Sequence, residues 1–362
     1  MNELTTIGLK TALNALYWSN AHRLVGPMTE GVGAILMFHH VRRPGAGRFR
    51  PNPHLDVTPD FLAAVIRRLR QRDIDIVDLD EAARRLAGGS SGRRFVVLTF
   101  DDGYRNNLTE AFPILKAAGA PFTVYVASGL VDRTALPWWD VVGAVVAANE
   151  RITARFGSRD LDVPARSRRE KHAALEAIIQ ALGDCCEDEQ RRIVARIAAS
   201  HGIDAAALGD ELIMDWREVR QLAADPLATI GAHTVGHYAL ARLDAARARR
   251  EMSESRARLQ EMAGVEARHF AFPYGSPHTA DEREFALARE LGFATAVTTR
   301  RGVLDGAGDR LHALPRISVN GGYQAIRYID LFLSGVPYAL ERSVKRLRSF
   351  TPVAATVSAS IL

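Results

Sequence analysis

The sequence predicts an α/β fold, a closed or nearly closed barrel of parallel strands interrupted by one helical insertion. Three observations carry this expectation. Short apolar runs alternate with helix-period stretches over most of the 362 residues, the pattern of repeated strand–helix units. Seven or eight such strands, each followed by a helix or loop, fit a barrel better than an open sheet. Residues 138 to 227 leave that rhythm, with helical patterns and no convincing strand.

Taken in order, residues 1–33 read as an N-terminal helical segment. Leu9, Leu13, Leu16 and Tyr17 fall near helical spacing, a face expected to pack on the protein's own body, with a membrane-surface helix as the alternative. The barrel is expected over 34–137 and 228–335. Its strands lie near 33–38, 74–77, 95–100, 122–126, 228–232, 269–272, 293–298 and 314–319, and its helices near 60–71, 79–87, 107–118, 245–263, 280–291 and 322–334. The Pro/Gly/Arg-rich stretch Arg42 to Pro59 reads as a long loop over one barrel face. Within 138–227, helices are expected from Trp138 to Asn149, Arg169 to Leu182, Asp188 to Ser200 and Asp215 to Ala224. Residues 336–362 read as a C-terminal helix and tail.

Composition excludes several classes. With 47 Lys and Arg against 42 Asp and Glu the balance is mildly basic, and the arginines lie on helix-like segments without interleaved aromatics. They read as solvated faces, so no nucleic-acid partner is expected. Cys185 and Cys186 are neighbours, which gives no disulfide framework. The N-terminus lacks a basic region followed by an unbroken apolar one, and no segment reaches the ~18 consecutive apolar residues of a membrane span. A cytoplasmic location is expected, with peripheral contact at the inner membrane face left open.

Four clusters carry chemistry. The run RFVVLTFDDG ends a buried strand on Asp101 and Asp102. Adjacent ionised carboxylates repel, so the pair calls for a cation or a shared proton. In TIGAHTVGH, His233 closes an apolar run and His237 follows four residues later; two imidazoles and a carboxylate form a common divalent-metal ligand set with open positions. In RHFAFPYGS a strand ends in a tight Pro-Tyr-Gly turn whose backbone N–H groups, that of Tyr274 among them, can point at a ligand. In ILMFHHV, His39 and His40 stand at the C-terminal end of the first strand, the barrel face where active sites form.

These clusters resemble, in order, the motifs of the polysaccharide deacetylases, carbohydrate esterase family 4, with the nodulation-type deacetylase homology domain. TFDDG at 99–103, His-Thr-x-x-His at 233–237 and FPYG at 272–275 carry the resemblance, which spans about Ala34 to Asn320 without the insertion. It implies a distorted (β/α)7-type barrel, glycoside hydrolase/deacetylase-like, that removes N-acetyl groups from amino-sugar oligo- or polysaccharides with a divalent metal. Zinc is the expected ion, with nickel, cobalt, iron or manganese as substitutes. The usual Leu-x-x-His near the C-terminus is not evident, since His312 in LHALPRISV has the wrong spacing. Leu36, Met37, Phe38 and His39 read Leu-x-x-His at the N-terminus instead, similar to the circularly permuted branch that includes biofilm poly-N-acetylglucosamine deacetylases.

Carried over by position, the resemblance makes Asp102, His233 and His237 the metal ligands and Asp101 the general base toward the attacking water. The Tyr274 N–H would stabilise the oxyanion, and His39 would be the general acid, its pKa expected near or above 7 beside a carboxylate, with His40 structural. Ala271 stands where an arginine is common in the third motif, which leaves open whether Arg268 or Arg316 orients the base. Tyr104, Trp138 and Trp139 offer faces for sugar stacking, with core packing as the alternative. The insertion should cap or flank the site without supplying ligands, so His172 and His201 stay away from the metal. A phosphohydrolase needs Asp-x-Asp, which adjacent aspartates do not provide. A deformylase or deacetylase of a lipid-linked aminosugar, and a non-catalytic carbohydrate-binding relative, stay as alternatives.

Overall fold

The apolar runs fold as strands at the expected places in a computed structural model that describes residues 3–43, 49–88, 92–306, 308 and 310–350. In chain order they are β1 Gly33–Phe38, β2 His40–Val41, β3 Asp56–Val57, β4 Asp75–Ile76, β5 Phe95–Phe100 and β6 Phe122–Val126, then β7 Arg151–Phe156, β8 Arg159–Pro164, β9 Ala228–Ala232, β10 His269–Ala271, β11 Thr295–Arg301 and β12 Leu314–Ser318. Seven of them close a parallel ring in the order β1, β12, β11, β10, β9, β6, β5 and back to β1. β4 pairs with Phe95 and Val96 at the start of β5, while β6 pairs with Thr99 and Phe100 at its end, so β4 lies beside the ring and does not widen it. Every residue of β1, β5 and β6 is buried, as befits strands covered on both faces.

Register fixes what meets at the rim. β1 and β5 pair without slip from Gly33↔Phe95 to Phe38↔Phe100, so His39 and the Asp101–Asp102 pair leave the barrel together. Val126↔Ala232 and Phe270↔Ala232 bring His233 and the turn after β10 to the same end. Ile35, Val97, Tyr125, Ala271, Val297 and Leu314 form the interior. By alternation, Asp101 continues the inward face of Val97, Arg316 that of Leu314, and His39 that of Ile35.

Three stretches differ from the sequence reading. The insertion carries, besides helices Trp138–Ala148, Arg168–Gly183, Glu187–Ser200 and Trp216–Ala223, an extra helix Ala205–Leu212 and the antiparallel β7–β8 hairpin. That hairpin buries Ile152, Phe156 and Leu161 and exposes charged residues between them, so it lacks the unbroken apolar run that marks the barrel strands. Residues 42–59 are not loop throughout: β3 pairs in parallel with β2, and Asp56 takes the guanidinium groups of Arg42 and Arg50; positions 44–48 lie outside the described residues. Helix 107–118 begins with a π turn over Asn107–Ala111 before Phe112–Ala117 continues as α.

The chain divides into two units, Val32–Ile326 with the barrel, and Met1–Gly31 together with Arg327–Leu362. The second unit consists of helices Glu3–Trp18, Ala21–Thr29, most of Ile326–Leu333, and Val336–Phe350. It buries Leu13, Tyr328, Leu331 and Leu333, and Thr29 donates to the Ser334 carbonyl at 2.7 Å. Of the face expected to pack in the first helix, Leu13 is buried and Leu9 is exposed. The expected tail, 351–362, lies outside the described residues.

Candidate active site

Four elements deliver the predicted residues to the C-terminal rim of the barrel. Asp102 stands after β5 at a positive φ of 76°, and its Oδ1 is 3.4 Å from His233 Nε2 and 3.2 Å from His237 Nε2. One side-chain nitrogen or oxygen from each of the three residues lies within 4.8 Å of the other two, and all three residues are buried. His233 Nδ1 donates to the Ala271 carbonyl at 2.7 Å, which leaves Nε2 as a bare acceptor aimed at Asp102. Asp102 Oδ1 is a buried oxygen with no hydrogen-bond partner among the described residues. A carboxylate oxygen orphaned between two imidazole nitrogens is the donor set a divalent cation fits, with room for further ligands. Burial pushes the Asp102 carboxyl up, but the facing imidazoles outweigh it and hold it well below the usual carboxylate range. Burial lowers the His237 pKa despite Asp102, a shift that favours the neutral imidazole a metal would need.

Asp101 is built differently. Arg316 donates Nη1 to its Oδ1 and Nη2 to its Oδ2, each at 2.7 Å, and fixes itself through Nε on the Thr298 carbonyl at 2.8 Å. Both residues are nearly inaccessible, Asp101 at 3% and Arg316 at 1% exposure. Burial raises the Asp101 carboxyl; the guanidinium more than offsets it, so the group is ionised below its ordinary pKa. Arg268 is not at the site but pairs with Asp80 at 3.0 Å on the exposed surface. Of the two arginines left open by the sequence, Arg316 is the one that grips Asp101.

The two strand-end histidines diverge. His39 is half-buried and within electrostatic reach of Asp102 and Asp101. Its pKa is lowered, contrary to expectation: burial dominates, and the two carboxylates recover only part of the loss. His40 is fully buried on the opposite face, its ring 3.5 Å from that of Tyr104, its Nδ1 2.9 Å from Asn106 Nδ2 and its Nε2 3.9 Å from Asp140. Tyr274 has φ 60°, and among the described residues its N–H has no acceptor. The turn is held by Gly275, where a Cβ would stand 2.5 Å from the Thr299 nitrogen.

Backbone strain concentrates here. Seven non-glycine residues have positive φ among the described ones, and four of them are Asp102, Thr234, His237 and Tyr274. Such conformations cost about 1–3 kcal/mol each and persist only where the surroundings enforce them, which is characteristic of functional sites.

A sequence model of the family described as polysaccharide deacetylase matches residues 88–296, more than half of the chain. The chain belongs to the polysaccharide deacetylase family. Among solved structures, the chain is similar to the Streptococcus pyogenes deacetylase PplD in complex with acetate, at 18% identity, TM-score 0.55, 83% of this chain and 97% of the other. It is likewise similar to IcaB from Ammonifex degensii, at 19% identity, TM-score 0.54, with 84% and 97% covered. A de-N-acetylase from Aggregatibacter actinomycetemcomitans aligns at 16% identity, TM-score 0.53, with 83% and 99% covered. At these identities the likeness establishes the deacetylase barrel fold. No curated protein sequence matches.

The family motifs do not include the residues that wall the site. Trp139 packs its ring 4.5 Å from that of His237 and donates Nε1 to the Tyr104 hydroxyl at 2.7 Å, which in turn donates to Asp140 at 2.9 Å. Trp138 donates to the Tyr274 hydroxyl at 2.8 Å. All three aromatic residues offered for sugar stacking are therefore buried walls, not open platforms. Arg191, from the insertion helix Glu187–Ser200, donates to the His237 and Gly236 carbonyls at 2.8 and 3.2 Å, and Glu251 accepts from the Val235 and Gly236 N–H groups. Asn107 donates to the His39 carbonyl at 2.7 Å from the π turn. Among the described residues His201 accepts from the Thr153 N–H, His172 lies against Phe49, and neither belongs to the group of Asp102, His233 and His237.

Proposed function

We propose that the protein is a metal-dependent hydrolase that removes N-acetyl groups from amino-sugar oligo- or polysaccharides. The observation that carries this reading is the pair of carboxylates with opposite surroundings, Asp102 facing two imidazole nitrogens and Asp101 clamped by Arg316. Asp102, His233 and His237 would hold a divalent ion, zinc by expectation, which when bound acidifies water and polarises an amide carbonyl. Asp101, ionised and fixed in orientation, takes one proton from the water whose oxygen attacks the amide carbon. The Tyr274 N–H faces the oxyanion, a contact typically worth about 3 kcal/mol in the transition state. His39 delivers its proton to the nitrogen as the carbon–nitrogen bond breaks, so acetate and a free amine leave.

The test is release of carboxylate from N-acetylated chitooligosaccharides, with N-formylated and lipid-linked aminosugars as parallel substrates, before and after chelation and on return of zinc. We expect chelation to abolish release and zinc to restore it. Undiminished turnover in chelator, or undiminished metal content in a His233→Ala, His237→Ala double variant, would overturn the reading.

A further inference from the structure

We propose that the helical unit made of the two chain ends docks on an anionic phospholipid surface. The inference is independent of the deacetylation reading. Among the described residues, the exposed large apolar side chains all lie in this unit, and none lies in Val32–Ile326. Met28 is 85% exposed, Leu24 81% and Trp18 71%. Scattered exposed leucines are ordinary, but concentration of all of them in one small unit marks an interaction surface.

The unit's own packing turns these residues outward. Helix Ala21–Thr29 buries His22 and Gly26, with Gly26 against Ser334, so Leu24, Val25 and Met28 take the opposite face at helical spacing. Trp18 ends the first helix with its ring edge-on to Tyr17, which stacks on His22 at 4.9 Å, so the indole is placed at the corner between the two helices. Helix Val336–Phe350 buries Val336 and Tyr338 and exposes Leu340 and Val344, one turn apart.

Charge decides the partner. The sequence of this unit carries seven Lys and Arg against four Asp and Glu. Exposed cations interleave with the exposed apolar positions, Arg23 beside Leu24 and Arg342 between Leu340 and Val344. A second copy docked on this face by a two-fold axis would bring like charges together in an interface whose core is normally depleted of charge. The boundary between acyl chains and anionic headgroups takes both kinds of side chain at once, and an indole suits it as well. No described helix is long and apolar enough to cross a membrane, so the unit lies on the surface.

The test uses the full chain with vesicles of phosphatidylcholine, with and without about one-third phosphatidylglycerol. We expect partitioning at least tenfold stronger with the anionic lipid, weakened several-fold in about 0.5 M salt, and a blue shift of emission that is lost in Trp18→Phe. Leu24→Glu with Met28→Glu should cut partitioning at least tenfold while leaving the circular dichroism and melting temperature unchanged. Equal or undetectable sedimentation with both vesicle types at about 1 mM lipid would overturn the proposal, since an interfacial helix partitions measurably there. A concentration-dependent dimer that the double variant dissociates would overturn it too, by seating a second copy on the face.

Discussion

Replacing Arg316 by Met keeps length and removes charge, and the structure sets the scale of the loss. Both Asp101 oxygens sit 2.7 Å from guanidinium nitrogens in a site where neither partner is more than 3% exposed. Removing one member of such a pair strands the other, at about 3–5 kcal/mol. At roughly 2–4 °C per kcal/mol this is a melting temperature lower by about 6–20 °C at neutral pH. The pH dependence identifies the cause. In the parent, burial raises the Asp101 carboxyl and Arg316 more than offsets that, so its folded pKa lies below its unfolded one. Its contribution is present above the unfolded pKa and is lost as pH falls through the folded one. In Arg316→Met burial is opposed only by the weaker influence of His233 and His39, so the folded pKa is expected to rise above the unfolded value and the sign to reverse. The variant should be worst at neutral pH and should regain ground on the parent as acidification protonates Asp101. Melting curves of both proteins from about pH 4 to 8 read this directly, and Arg316→Lys should fall between them because it keeps the charge without the fork. A loss below about 1 kcal/mol that does not vary with pH would refute the assignment of Arg316 as the partner of an ionised Asp101.

Asp101→Asn should reduce turnover far more than tenfold with metal content kept; activity within about tenfold of the parent, under ~1.4 kcal/mol, removes Asp101 as the base. His39→Ala should abolish the alkaline limb of the pH–rate profile, and in the parent that limb should lie below the ordinary imidazole value, because burial lowers His39 and an acid must carry its proton. His40→Ala should lower the melting temperature and leave the limb in place; the reverse pattern would exchange the two histidines. Arg191→Met should weaken zinc retention in a chelator competition by roughly 10–100-fold, with partial rescue by Arg191→Lys, and unchanged retention would show that the clamp on the His237 carbonyl is dispensable.

The barrel was legible because its strands are buried on both faces and therefore written as continuous apolar runs: GAILMF and FVVLTF coincide with β1 and β5. The β7–β8 hairpin was not, because RITARF and RDLDVP have one wet face and read like surface helix or loop. The grouping of Asp102 with His233 and His237 was legible from a carboxylate pair that calls for a cation and two histidines four residues apart, whereas the structure gives Asp101 the Arg316 guanidinium as its partner. Arg316 offered a signal of the same kind, a charge inside the apolar strand LPRISV, and such a residue must have a buried partner. What no one-dimensional pattern reveals is Arg191 or Glu251, ordinary charged residues of helical segments whose spacing repeats nothing. Their importance comes from the loop they meet.

That loop explains why the insertion has the place it does. Thr234 and His237 are held at φ 65° and 53°, conformations that non-glycine residues avoid, and an unsupported 233–238 segment would relax toward the usual region. Relaxation would swing the His237 ring away from Asp102, since the ring follows its own backbone. The barrel supplies only the start of the segment, through β9 and the His233 hydrogen bond to Ala271. The other supports lie outside it: Arg191 on the His237 and Gly236 carbonyls, its guanidinium 4.4 Å above the Tyr238 ring, with Glu187 behind it and Glu251 on the Val235 and Gly236 N–H groups. Two of these, Arg191 and Glu187, come from the insertion. The helical stretch that breaks the strand–helix rhythm therefore supports the site from outside the barrel, by holding a strained backbone in the geometry that aims His237 Nε2 at Asp102.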